Sequence, residues 1–167
     1  KVMAIYLDSA LISEAEKVAK WGWVSGVTTN PILLGKSDQS PQLTLEKLKE
    51  LFSGEIYYQL TRTEVDEMIK EGYQAVEILG NQTVLKIPAT SIGFQVLSRL
   101  SQEIVCSITG IYHPIQAVIA AEGGAKYAIA YVNRATRLLG DGYQLVREMA
   151  TVLKGSSTQI LAASIKS

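Results

Sequence analysis

The chain of 167 residues has one cysteine, one histidine and four prolines, and each shortage removes a class of protein. Cys106 alone cannot close an internal disulfide, no CxxC pair occurs, and His113 is the lone imidazole, so neither a disulfide scaffold nor a cysteine–histidine zinc site is expected. Basic and acidic side chains balance at 16 each, which leaves no basic field for a nucleic-acid backbone and no run of like charge that reads as a tail. Apolar runs are only strand-length, and the amino terminus lacks a basic region followed by an apolar run, so no membrane span or leader is expected. A cytoplasmic protein without nucleic-acid or membrane partners fits these absences. A dinucleotide fingerprint is also missing: the first strand candidate runs into Leu7-Asp8-Ser9-Ala10 without the glycines of a G-x-G-x-x-G turn.

What is present is an alternation. Short β-branched apolar runs are predicted as strands at Met3–Leu7, Val24–Thr28, Glu55–Leu60, Thr83–Ile87, Ile104–Thr109, Tyr127–Val132 and Gln159–Ala163. Between them apolar residues recur at helical spacing, as in Leu45, Leu48, Leu51 and Phe52 with charged residues at 46, 47, 49 and 50 on the wet side. Strands alternating with helices need right-handed crossovers and a parallel sheet, either open and doubly wound or closed as a barrel.

The polar residues favour the barrel. Most strands end in a polar side chain that shares pleat parity with the residue two before it: Tyr6 and Asp8, Tyr57 and Gln59, Val84 and Lys86, Ser107 and Thr109, Ile129 and Tyr131, Ala162 and Ser164. In a (β/α)8 TIM barrel these would point inward at the carboxyl end, where active sites of that fold lie. Seven strand candidates make the barrel incomplete: a single domain over residues 1–167 is expected, with a last helix, the eighth strand and its helix absent. Either the chain is a fragment or something else fills the gap.

Lys86 interrupts the apolar run Val84-Leu85-Lys86-Ile87-Pro88. Burying an ammonium there is costly unless its pKa falls, and a neutral lysine amine attacks carbonyls to form a Schiff base. The competing role is a side chain that snorkels to solvent or pairs with Asp8. Asp8 could move a substrate proton, against the commoner job of capping the helix after Asp8-Ser9. In Thr28-Thr29-Asn30-Pro31, hydroxyls and an amide could bind substrate, or the segment is simply a loop closed by proline. Gln59, Thr109 and Tyr131 could orient a water, while Arg134, Ser164 and Lys166 offer a fork, a hydroxyl and a point charge where many barrels hold phosphate. His113-Pro114 reads as a turn at a helix start, Cys106 as an inert thiol facing the helices, and Trp21 and Trp23 as packing or subunit contacts.

Taken in order, Tyr6-Leu7-Asp8, Gly26-Val27-Thr28-Thr29-Asn30-Pro31, Tyr58-Gln59-Leu60, Leu85-Lys86-Ile87-Pro88, Ile108-Thr109-Gly110-Ile111-Tyr112, Tyr131-Val132-Asn133-Arg134 and Leu161-Ala162-Ala163-Ser164 resemble the transaldolase family, in its short fructose-6-phosphate aldolase-like branch. The resemblance implies a class I Schiff-base enzyme acting on sugar phosphates without metal or organic cofactor. Lys86 would form the imine, Asp8 would serve as acid/base, and Thr28 and Asn30 would hold the donor hydroxyls. Thr109 and Gln59 would place the water, with Arg134 and Ser164 on the phosphate. It also implies a homo-oligomer, pentameric or decameric. Transaldolases of this family carry Glu and Phe where this chain has Gln59 and Tyr131, which favours a lyase that splits fructose 6-phosphate into dihydroxyacetone and glyceraldehyde 3-phosphate. The alternatives are a transaldolase of the pentose phosphate pathway and a non-catalytic sugar-phosphate-binding or assembly module. The run 135–142 departs from the family's usual Asp and glycine-rich segment on the acceptor side.

Overall fold

The computed structural model describes residues 3–165. In chain order the elements are β1 (Leu7–Asp8), α1 (Ile12–Ala19), β2 (Gly26–Thr28), α2 (Pro31–Leu34), α3 (Pro41–Leu51), β3 (Glu55–Gln59), α4 (Val65–Leu79), a 3-10 turn (Gly80–Gln82), β4 (Thr83–Pro88), α5 (Ser91–Leu100), β5 (Cys106–Ile111), α6 (Pro114–Glu122), β6 (Tyr127–Tyr131), α7 (Val132–Leu139), α8 (Gly142–Val152) and β7 (Gln159–Ala163). The sheet order is β1-β2-β3-β4-β5-β6-β7, parallel as expected. Each strand lies beside its sequence neighbour with no reversal of direction in the order. A doubly wound sheet needs such a reversal at its switch point; the winding of a barrel does not.

Helix starts follow local chemistry. Three of the prolines open helices behind a capping side chain: Asn30 Oδ1 accepts from Leu33 N, Ser40 Oγ from Leu43 N, and His113 Nδ1 from Ile115 N. Proline lacks the N–H that a first helical turn cannot use, and its fixed φ suits that position. Thr90 and Asp141 cap α5 and α8.

The chain divides into two compact units, residues 1–61 with 70–85 and residues 62–69 with 86–167. In the first, Ala15 of α1, Leu45, Leu48 and Phe52 from and just after α3, and Leu79 of α4 pack with Val27 and Ile56 of β2 and β3 into one apolar core. In the second, Val96, Leu97 and Leu100 of α5, Ile108 and Ile111 of β5, Ala117 and Ala120 of α6, and Leu145 and Met149 of α8 are buried.

Several boundaries differ from expectation, each for a backbone reason. Residues 3–6 stay outside the ladder and leave Met3 and Ile5 exposed, so β1 keeps only Leu7 and Asp8. Ile104 donates to the Leu100 carbonyl and so prolongs the end of α5 rather than starting β5. Pro31, read as closing a loop, instead opens the helix α2, with Thr28 ending β2 and Asn30 as the cap. Val132 begins α7, and the unusual run at 135–142 is the remainder of that helix, a turn at Gly140 with φ +91°, and the start of α8.

Strands β2 and β3 approach where only glycine fits: a Cβ on Gly26 would lie 2.0 Å from the Glu55 carbonyl oxygen. Gly26→Ala must therefore push two paired strands apart, and urea unfolding should show a loss of about 1–3 kcal/mol.

Candidate active site

In the first unit, register places Asp8 opposite Thr28 on the neighbouring strand. The Thr28 hydroxyl donates to Asp8 Oδ1 at 2.9 Å, with Thr28 buried and the aspartate exposed. Asp8 is not a helix cap: Leu11 occupies that position of α1 without a side-chain bond, and Ser9 takes the local polar role, accepting from Leu11 N and donating to Glu14. A hydroxyl donor on one carboxylate oxygen fixes the group while its other oxygen stays available, the arrangement a proton-moving carboxylate needs. Thr29 is fully buried and spends its hydroxyl on the Tyr57 carbonyl at 2.6 Å. Asn30 uses its side-chain oxygen to cap α2, which leaves its amide nitrogen as the remaining donor.

Gln59 ends β3 half-buried. On the same pleat side, Tyr6 and Tyr57 donate to Glu55 Oε2 at 2.8 and 3.2 Å, and their rings meet edge-on with centroids 5.3 Å apart. Tyr58, of opposite parity, donates instead to Glu71 on α4, whose buried carboxylate also receives Thr61 N–H and the Thr61 hydroxyl. Those two residues line a pocket of about 200 Å³ with Pro41, Leu45, Ala75 and Ile78, on the helix side of β3. No signal in the sequence marked Glu71, since one glutamate on an amphipathic helix reads as solvated.

In the second unit, Lys86 is 4% exposed and sits in β4 between Leu85 and Ile87, both fully buried. Thr109, also buried, donates its hydroxyl to the Tyr131 hydroxyl at 2.8 Å, and its carbonyl accepts from Ala89 N. The Arg134 guanidinium, in the first turn of α7, lies 5.2 Å from the centroid of the Tyr131 ring, and the Tyr112 ring meets the same ring at 6.5 Å and 89°. Ser164, just past β7, has φ +55°, a left-handed conformation rare for a residue with a Cβ. Its carbonyl accepts from Asn133 N at 2.9 Å, which ties it to the start of α7. Lys166 lies outside the described residues.

The structure thus brings together Asp8 with Thr28, and Thr109 with Tyr131 and Arg134; it gives Asn30 a capping duty, and it adds Tyr112, which the sequence analysis quoted among the family-like blocks without a role. His113 is the side-chain cap of α6, as its place before a helix suggests. Trp21 and Trp23 stack on each other, 57% and 51% exposed. Among the described residues no group of three or more His, Cys, Asp or Glu is placed to hold a metal ion, and no helix is long and apolar enough to cross a membrane.

A sequentially wound parallel sheet whose strands end in hydroxyl, amide, amine and carboxylate groups defines a protein of the (β/α)-barrel class. Solved structures agree on the fold: orotidine 5'-monophosphate decarboxylase from Metallosphaera sedula superposes with a TM-score of 0.52 at 19% identity, covering 98% of this chain and 90% of that one. A mandelate oxidase variant bearing an FMN adduct superposes with a TM-score of 0.66 at 17% identity over 99% of this chain, which spans 58% of the oxidase's length. The profile of the Transaldolase/Fructose-6-phosphate aldolase family matches residues 5–167. Two relatives, each named "Probable transaldolase", come from Symbiobacterium thermophilum and Thermoplasma volcanium; both are 36% identical over 98% of this chain, covering 77% and 76% of their own lengths. The chain belongs to the transaldolase/fructose-6-phosphate aldolase family.

Cys106 takes no part in either cluster. It is 1% exposed, its thiol donates to the Ile104 carbonyl at 3.3 Å, and burial pushes its pKa up to about 12. The thiolate is the nucleophile, so at pH 8 the folded protein should resist iodoacetamide, and denaturant should expose one reactive thiol. Labelling of the native protein in alkali should rise only as pH approaches that value.

Proposed function

We propose that this protein forms a Schiff base at Lys86 and transfers a dihydroxyacetone unit between sugar phosphates. The observation that carries the reading is the burial of Lys86 between two fully buried apolar neighbours in a chain of this family. The neutral form of a lysine amine is the nucleophile that attacks a ketone, and a strand interior keeps bulk water from competing for the carbonyl.

The chemistry follows by role. The Lys86 amine adds to the ketose carbonyl and water leaves, giving an iminium. The Asp8 carboxylate, oriented by Thr28, takes the proton of the C4 hydroxyl; the C3–C4 bond breaks and its electron pair enters the iminium, leaving an enamine and releasing an aldehyde. In transfer, the enamine attacks a second aldehyde, Asp8 returns the proton to the new C4 oxygen, and water hydrolyses the resulting iminium to release the new ketose and restore the Lys86 amine. The Asn30 amide is suited to a donor hydroxyl, and the Arg134 fork with the Ser164 hydroxyl to the phosphate, because a planar guanidinium matches two phosphate oxygens.

The names of the relatives support transfer over the lyase that Gln59 and Tyr131 suggest. A second reading nevertheless has its own support: a phenol held by Thr109 at 2.8 Å can help water release dihydroxyacetone from the imine. In the lyase the enamine is protonated at carbon and the resulting iminium is hydrolysed, which returns free Lys86 and dihydroxyacetone.

Borohydride reduction with fructose 6-phosphate, followed by peptide mapping, should place a covalent adduct on Lys86; Lys86→Ala should abolish it and lower turnover roughly a thousandfold or more. An adduct on another lysine, or none on the folded protein, would remove the Schiff-base mechanism. Supplied with fructose 6-phosphate alone, the enzyme should release little dihydroxyacetone and should make new sugar phosphate once erythrose 4-phosphate is added. Rapid dihydroxyacetone release without acceptor would favour the lyase, and Tyr131→Phe should then slow that release more than it slows transfer.

A further inference from the structure

Strand β5 carries one residue more than its partner. Ile108 pairs with Ala128 and Ile111 with Ala130, so three steps on β5 match two on β6. Strict alternation would put Gly110 and Tyr112 on the face opposite Thr109. The bulge resets the phase: Ile111, opposite Ala130, is fully buried, and Tyr112 emerges against the ring of Tyr131. Gly110 makes this possible with φ +76°; nothing lies within 4 Å of a Cβ built there, so it is the backbone conformation and not space that calls for glycine.

We infer that Tyr112 is a positioning residue for Tyr131, turned toward it by the Gly110 bulge and holding the phenol on Thr109. Three contacts then define the Tyr131 ring: Thr109 at its hydroxyl at 2.8 Å, the Arg134 guanidinium 5.2 Å from its centroid, and the Tyr112 ring 6.5 Å away at 89°. Edge-to-face geometry at this distance is attractive and directional. Tyr112 is itself anchored. Its N–H donates to Gln116 Oε1 at 2.9 Å, the same oxygen accepts from His113 N at 3.1 Å, and His113 Nδ1 accepts from Ile115 N. The His113-Pro114 start of α6 thereby fixes the backbone that presents the ring.

The inference rests on the reading of Lys86 as the imine-forming residue and adds a second aromatic residue to the step that releases the imine. A phenol displaced by about an ångström loses much of its effect on a proton transfer. In Tyr112→Leu, imine hydrolysis should therefore fall roughly tenfold with KM within about twofold, and Tyr112→Phe, which keeps the ring, should restore it. Combined with Tyr131→Phe, Tyr112→Leu should cause no further loss.

A readout independent of turnover is the nuclear Overhauser contact between the Thr109 methyl group and the Tyr131 ring, assigned with Tyr131→Phe. It should persist in Tyr112→Phe and vanish in Tyr112→Leu; if the leucine variant fails to fold, Tyr112→Met serves in its place. Persistence of that contact without the Tyr112 ring, or equal impairment by Tyr112→Phe, would overturn the inference. Absence of a Lys86 adduct in the wild-type protein would instead count against the Schiff-base reading, with the Overhauser contact still deciding the role of Tyr112.

Discussion

A strand inside a parallel sheet has two faces to cover, and side chains take them alternately. That constraint underlies most of what this chain can do. In β4 it places the buried Leu85 and Ile87 on one face and Lys86 on the other, so a single residue step separates a buried amine from an apolar core. In β3 it divides two adjacent tyrosines: Tyr57 shares a face with Glu55 and Gln59, while Tyr58 reaches the α4 glutamate among the helices. Polar groups and packing residues thus fall on alternate positions of the same strands.

Much of this is legible in the sequence because the period is so simple. Strand β7 matches its expected limits, and β4 and β6 differ from theirs by one residue at an end. Polar strand ends then identified Lys86, Thr109 and Tyr131 as candidates. What parity cannot see is a change of phase. Tyr112 received no role because regular alternation assigns it to the helix side, and only Gly110, a glycine in a strand pattern, hinted that the count would slip. The short helix at Pro31 escaped for another reason: Asn30-Pro31 signals a turn and a helix start equally well, and the capping bond to Leu33 decides between them.

The Asp8 and Ser9 pair shows how close the competition between structural and chemical roles is. Both residues precede a helix and both could cap it. The register of β1 against β2 sets Asp8 beside Thr28, whose hydroxyl claims the carboxylate, and the local turn falls to Ser9 and Glu14. One long-range pairing reassigns a residue that local preference would have given to a cap. Relatives at 36% identity share a family with this chain.

The stacked Trp21–Trp23 pair has a spectroscopic consequence. The chain contains two tryptophans, and both lie in the first unit, more than half exposed with centroids 5.5 Å apart and planes inclined by 22°. Their emission therefore reports on residues 1–61 and 70–85, and their coupled transitions give the near-ultraviolet dichroism a component that vanishes when that unit opens. Far-ultraviolet dichroism samples the helices of both units. Separation of the two signals during denaturation would reveal how far the halves of this chain melt as one.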